Sequence, residues 1–139
     1  MKICIFGAGA IGGHLGALLS NQGIQVTLIA RGEHLKKMQS DGLTLVTETG
    51  GVLVTRPRCT NDPRTLGVQD YVIITLKAHA TTKVVEMITP LLGPNTVVVP
   101  AVNGIPWWYF YKLQGPYEDN RINCLDPDNN QWNAIDPSR

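Results

Sequence analysis

The stretch KICIFGAGAIGG, residues 2–13, decides the fold. Lys2–Phe6 is a short apolar run ending on Gly7, the profile of a strand buried on both faces. From Ala10 to about Asn21 the apolar positions Ile11, Leu15, Leu18 and Leu19 fall at i, i+4, i+7 and i+8. That spacing predicts a helix with one apolar stripe, and Gly23 is placed to end it. The turn between them is Gly7-Ala8-Gly9-Ala10-Ile11-Gly12. Gly7 permits a tight exit from the strand, Gly9 lacks a Cβ that would block a pyrophosphate, and Gly12 lets the helix pack close to the sheet. A helix start also offers free N–H donors and partial positive charge to phosphate groups. A lone GxGxxG is weak, because glycines recur by chance. Here the strand before it and the helix after it make Gly7, Gly9, Ala10, Ile11 and Gly12 candidate cofactor-binding residues.

Outward from this stretch, Gln25–Ala30 predicts a second strand, and Glu33–Ser40 a short polar helix stopped by Asp41-Gly42. Leu43–Glu48 and Val52–Arg56 flank Gly50-Gly51 and predict a β-hairpin inserted into the βαβ repeat. Tyr71–Leu76 is the clearest buried strand, Thr81–Leu92 the next helix with Pro90 weakening its last turn, and Thr96–Ala101 a further strand. Apolar strands alternating with helices predict a Rossmann-type, doubly wound, mostly parallel α/β sheet with helices on both faces.

The end of the second strand decides which nicotinamide cofactor fits. An NAD site places Asp or Glu there, about 20 residues on, to accept from the ribose hydroxyls. This sequence reads Leu28-Ile29-Ala30-Arg31-Gly32, and Arg31 lies 19 residues past Gly12. A guanidinium matches a 2′-phosphate in charge and bidentate geometry, which favours NADPH. FAD, which uses the same glycine turn, stays open. Glu33 is an alternative ribose partner, although a first-turn acid is common in any helix. Lys36 and Lys37 either add positive potential or form a solvated face, and His14 reads as a helix-flank residue.

The composition sets bounds. A chain of 139 residues with 43% hydrophobic and 17% charged residues fits one globular core. A net charge of +1 gives no electrostatic case for nucleic acid or an acidic membrane. Apolar runs fall well short of the roughly 20 residues a membrane helix needs, and strand-like sequence from Lys2 leaves no room for a leader, so the expected location is cytoplasmic. Cys4, Cys59 and Cys124 have no ligand spacing and are expected to be reduced, with Cys4 in the core. His14, His34 and His79 form no metal pattern.

After Leu113 the sequence turns polar. Residues 114–139 are rich in Asn, Asp, Pro and Gln, with at most a weak strand near Arg121–Leu125 and no second core. Just before them stands Trp107-Trp108-Tyr109-Phe110-Tyr111. A helix there would point aromatic rings in every direction, and an exposed aromatic patch usually meets a partner. A second domain or a second subunit is the favoured cover, and the chain's own tail the alternative.

With KICIFGAGAIGG at 2–13, TLIAR at 27–31, TLKAH at 75–79 and VNGIPWW at 102–108, the chain resembles the ketopantoate (2-dehydropantoate) 2-reductase family along essentially its whole length. The later Lys and Asn-Gly motifs make the resemblance more specific than the glycine turn. It implies NADPH as cofactor and hydride transfer to the keto carbon of 2-dehydropantoate, giving pantoate for pantothenate synthesis. It also implies that Lys77 and Asn103, at successive strand ends, reach the cofactor and the region beside the substrate. Read from the residues alone, Lys77 is either a phosphate or ribose partner or a snorkelling strand-end lysine. Asn103 is either a donor–acceptor pair for a ligand or a turn-former before Gly104. In the family a lysine and a glutamate of a helical second domain handle the proton and the substrate. No catalytic residue is therefore assigned here. The implied organisation is a 1–113 NADP-binding domain and a 114–139 extension leading to an absent helical substrate domain, with this piece inactive alone. A non-catalytic NADP(H)-binding module signalling to a protein partner is the alternative, and a 3-hydroxy acid dehydrogenase a weaker one.

Overall fold

The chain folds around five parallel strands in the order β5-β2-β1-β6-β7, seen in a computed structural model that describes residues 1–139. β1 (Lys2–Phe6) is central because each of its faces is apolar. Ile3 and Ile5 enter one core cluster, and Cys4 and Phe6 enter the other. It pairs with β2 (Gln25–Ile29) from Lys2↔Gln25 to Phe6↔Ile29, and with β6 (Tyr71–Ile74) from Ile3↔Tyr71 to Phe6↔Ile74. β7 (Val97–Pro100) adds to β6. The chain leaves β1 to one side for β2 and returns to the other side for β6, so the strand order reverses at β1, where ligands of open α/β sheets gather.

α1 (Ala10–Asn21) has the predicted bounds and ends ahead of Gly23, whose φ of +74° is left-handed. The predicted stripe is only half right. Ile11 is 60% and Leu18 42% exposed, while the buried positions are Gly12, Gly16 and Ala17, flanked by Leu15 and Leu19. The helix approaches the sheet through its small residues. A Cβ at Gly16 would lie 2.8 Å from Leu28, so close approach and not bulk sets the buried face. α2 (Gly32–Ser40) follows, burying Leu35 and Met38. The antiparallel hairpin β3 (Leu43–Val46) and β4 (Val52–Thr55) forms as predicted, with Leu43, Leu45 and Leu53 on the α1-side core.

Some elements differ from the sequence reading. β5 (Arg58–Thr60), parallel to β2, is not visible in the sequence because three residues with one inward side chain, Cys59, carry no periodicity. The single helix expected at Thr81–Leu92 is broken into α3 (Ala78–Thr81), α4 (Val85–Ile88) and a 3₁₀ turn at Thr89–Leu91. Thr81, Thr82, Val84 and Val85 are β-branched and Pro90 lacks an N–H, so helix propagation is poor. The sheet-facing stripe Thr81, Val85, Ile88 and Leu91 is buried nonetheless. Helices pack on both faces as expected, α1 and α2 on one and α4 on the other, and on the α1 side Tyr71, Val97 and Val99 of β6 and β7 stay 37–40% exposed.

A further difference lies in the tail. No strand forms near Arg121–Leu125; the segment turns into α5 (Asn130–Ala134). Buried Asp126 accepts from the Gln131 and Trp132 amides at 2.8 and 2.9 Å, and Ile135 is only 2% exposed within the second core cluster. The aromatic run is a series of turns rather than a helix. Trp107 enters the core, Tyr111 packs edge-on to Trp132, Phe110 lies on Tyr117, and Arg121 stacks 3.2 Å from the Trp132 ring centre. The tail thus covers much of the run, leaving Trp108 and Tyr109 exposed.

All three cysteines are free. Burial pushes the Cys4 thiol up to about 12, so it stays protonated and serves as a packing residue.

Candidate functional site

The candidate site is the edge formed by the carboxyl ends of β2, β1, β6 and β7, which are neighbours in that order. Arg31 follows β2, the glycine turn follows β1, Lys77 follows β6 and Asn103 follows β7. Four segments remote in sequence are brought to one rim because their strands are parallel and in register. Adjacent strand ends lie about 4.8 Å apart.

The glycine turn has three distinct local solutions. Gly7 has φ +114°, and a Cβ there would sit 2.7 Å from Leu76. At Gly12 a Cβ would overlap the Gly7 carbonyl oxygen and lie 2.6 Å from Thr75 Oγ1. Gly9 differs: nothing lies within 4 Å of its Cβ position, and its φ of −72° suits any residue. Gly7 and Gly12 are demanded by the protein's own backbone, whereas at Gly9 the protein demands nothing. Gly9 is also the N-cap of α1, with no side chain capping the helix and no acid in its first turn. The leading N–H groups of a helix have no intrahelical partner, and an anion completes them. Gly9, Ala10 and Ile11 are all exposed, so an uncapped, open cradle faces outward. Its shape and donor set fit a dinucleotide pyrophosphate.

Two residues that the sequence did not single out hold this turn. Thr75 Oγ1 donates to the Gly7 carbonyl at 2.5 Å, tying the end of β6 to the turn. His34 Nε2 lies 2.7 Å from the Ala8 carbonyl, tying α2 to it. These partners are 68 and 26 residues apart, beyond any local pattern.

Arg31 sits exposed at the N-cap of α2, in extended conformation, and makes none of the chain's ion pairs. Glu33 is instead engaged by Lys36 at 2.7 Å, a solvated pair of little energetic weight. Lys77 heads α3 and is exposed, as is Asn103. His14 is exposed on α1. Beside the Lys77–Asn103 half of the rim lies a cavity of about 670 Å³, lined in part by His79, Lys83, Asn103 and Trp107. No helix is long and apolar enough to cross a membrane.

A parallel sheet reversing at β1, a glycine turn opening onto an uncapped helix and four loops at one rim define a Rossmann-type nucleotide-binding protein. Comparison with known proteins narrows the class. Residues 3–106 match the family model for ketopantoate reductase PanE/ApbA, so the chain belongs to the ketopantoate reductase family, whose members are NAD(P)-dependent oxidoreductases acting on small 2-oxo acids. The 2-dehydropantoate 2-reductase of Mesorhizobium japonicum is 46% identical over all of this chain and 43% of its own length. Among solved structures, a candidate ketopantoate reductase from Ralstonia solanacearum superimposes with a TM-score of 0.90 at 44% identity, over 97% of this chain and 41% of its own. A D-mandelate dehydrogenase solved with NADH and anilino(oxo)acetate gives 0.70 at 30% identity, over 76% of this chain and 34% of its own. The chain spans less than half the length of each of these relatives.

Proposed function

We propose that this chain is the NADPH-binding part of a reductase that converts 2-dehydropantoate to pantoate, in the cytoplasm and in the service of pantothenate synthesis. The observation that carries the proposal is the open position at Gly9 above an uncapped helix start, next to an exposed arginine. The backbone N–H groups of Gly9, Ala10, Ile11 and Gly12 would hold the pyrophosphate, with Gly7 shaping the turn. Arg31 would pair with the 2′-phosphate, and Lys77 and Asn103 would hold the ribose and nicotinamide end. The chemistry supplied at that end is two-electron reduction of a 2-oxo carbon by hydride from the nicotinamide, giving a 2-hydroxy acid. The chain's own residues bind and orient; none of them is assigned the proton. We accordingly read residues 1–113 as the nucleotide-binding unit, and place the exposed Trp108 and Tyr109 against a helical substrate domain or a second copy. The 139-residue chain alone is then a binder with little or no turnover.

The test is isothermal calorimetry of NADPH and NADH on the chain and on Arg31→Ala. A charge-assisted contact contributes about 1.5–3 kcal/mol, so NADPH affinity should fall roughly ten- to a hundred-fold while NADH affinity barely moves. Equal losses for the two cofactors would remove the phosphate role from Arg31.

A further inference from the structure

His34 is a residue that the proposed function leaves unused. It occupies the third position of α2, where helices favour acids over a group able to carry positive charge, so its presence serves neither the helix dipole nor a cap. Its Nε2 lies 2.7 Å from the Ala8 carbonyl oxygen, 26 residues away. A carbonyl oxygen only accepts, so Nε2 carries the hydrogen and donates. The preceding carbonyl, that of Gly7, accepts from Thr75 Oγ1. Two successive peptides of the glycine turn are therefore held by side chains, one from the end of β6 and one from α2.

The Ala8 bond matters for what stands at the other end of the same peptide. A trans peptide is planar, with its C=O and N–H pointing in opposite directions. Holding the Ala8 oxygen toward α2 turns the Gly9 N–H away from α2, and that N–H meets no acceptor in the chain. It is the leading donor of the open cradle at the N-cap of α1. The bond also anchors α2. Leu35 and Met38 bury the body of the helix, and Gln39 Nε2 donates to the Cys59 carbonyl at 3.0 Å. The N-terminal end has no such support. Arg31, Gly32 and Glu33 are exposed, Gly32 stands at φ +61°, and Glu33 bonds only within the helix, to Lys36. His34 is the one side chain of that end bonded outside α2.

We propose that His34 is a positioning residue for the dinucleotide: its bond to Ala8 holds the Gly9 N–H toward the pyrophosphate and ties the α2 end that carries Arg31 to the cradle. One side chain thus sets both phosphate contacts while touching neither phosphate. This rests on the reading of the rim as an NADPH site.

The experiment is calorimetry of NADH and NADPH on the 139-residue chain, on His34→Leu and His34→Gln, and on His34→Leu combined with Arg31→Ala, with a thermal melt of each sample. Leucine removes the donor, whereas glutamine keeps an N–H at similar reach. His34→Leu should weaken NADH about fivefold, the effect of one hydrogen bond, and NADPH about fifteenfold, because Arg31 is displaced as well. In the Arg31→Ala background it should weaken NADPH only about fivefold. His34→Gln should bind both dinucleotides within about twofold of the parent, and the His34 variants should melt within about 4 °C of it. Parental affinity in His34→Leu, a loss that His34→Gln does not restore, an equal NADPH loss in the two backgrounds, or a midpoint lowered beyond that range overturns the proposal. A parent chain that binds neither dinucleotide overturns the NADPH reading itself, and the proposal with it. A parent that binds both, beside a His34→Leu variant that binds them equally well, overturns the positioning role alone.

Discussion

Gly12→Ala should cost this chain about 3 kcal/mol or more of stability, seen as a fall of roughly 10 °C in the melting midpoint. The added methyl would overlap the Gly7 carbonyl oxygen and press on Thr75 Oγ1, which itself donates to that carbonyl. Neither neighbour is the free end of a flexible side chain. Relief requires α1 to move off β1, and Gly16 blocks a simple slide because its Cβ position is already 2.8 Å from Leu28. The loss should therefore appear without any cofactor present. A variant that melts with the parent chain would show that the helix–turn contact is looser than described.

Gly9→Ser should behave in the opposite way. The position is open, its backbone suits an L-residue, and serine is a better N-cap than glycine by a few tenths of a kcal/mol. The melting midpoint of the cofactor-free protein should hold or rise slightly. NADPH binding should fall about a hundredfold, because the hydroxyl takes one of the leading N–H groups and the Cβ fills the space a phosphate would occupy. Calorimetry and a thermal melt on one sample read both effects. A stable variant that still binds NADPH with parental affinity would place the phosphates elsewhere.

The contrast between these two glycines marks how far the sequence could be read. The strand–turn–helix at residues 2–21, the hairpin and the strands after it are legible because short apolar runs and 3.6-residue periods, with glycine at the junctions, are local signals. The face of α1 was misjudged because periodicity weights bulk, while this helix is buried through Gly12, Gly16 and Ala17. β5 is hidden because three residues carry no periodicity, and the break after Thr81 because an apolar stripe at helical spacing masks the β-branched run and Pro90 that interrupt it. In the tail, composition predicts a polar extension without a core of its own, with a second domain or subunit favoured over the tail as the cover for the aromatic run. One carboxylate, Asp126, instead folds the segment so that Ile135 reaches the core.

At the rim the pattern is similar. Gly7, Gly9 and Gly12 could be assigned distinct local duties from their order alone, and the geometry gives each a different environment. Arg31, Lys77 and Asn103 were found as strand-end residues, and the parallel register explains why they share one edge. Thr75 and His34 were not found, since their significance lies in a carbonyl oxygen contributed by a remote segment. A threonine closing the strand that neighbours a glycine turn is the one signal available in advance. The cavity was equally invisible, because α3, the 102–108 loop and the tail meet only in the folded chain.

The most direct measurement is a ¹H–¹⁵N and ³¹P titration of the 139-residue chain with NADPH and, separately, NADH. The largest amide shifts are expected at Gly9 to Gly12 with both cofactors, with Arg31 and the 2′-phosphate resonance moving only for NADPH. Shifts centred away from residues 7–12, or the same response at Arg31 to both cofactors, would contradict a backbone cradle read by a guanidinium.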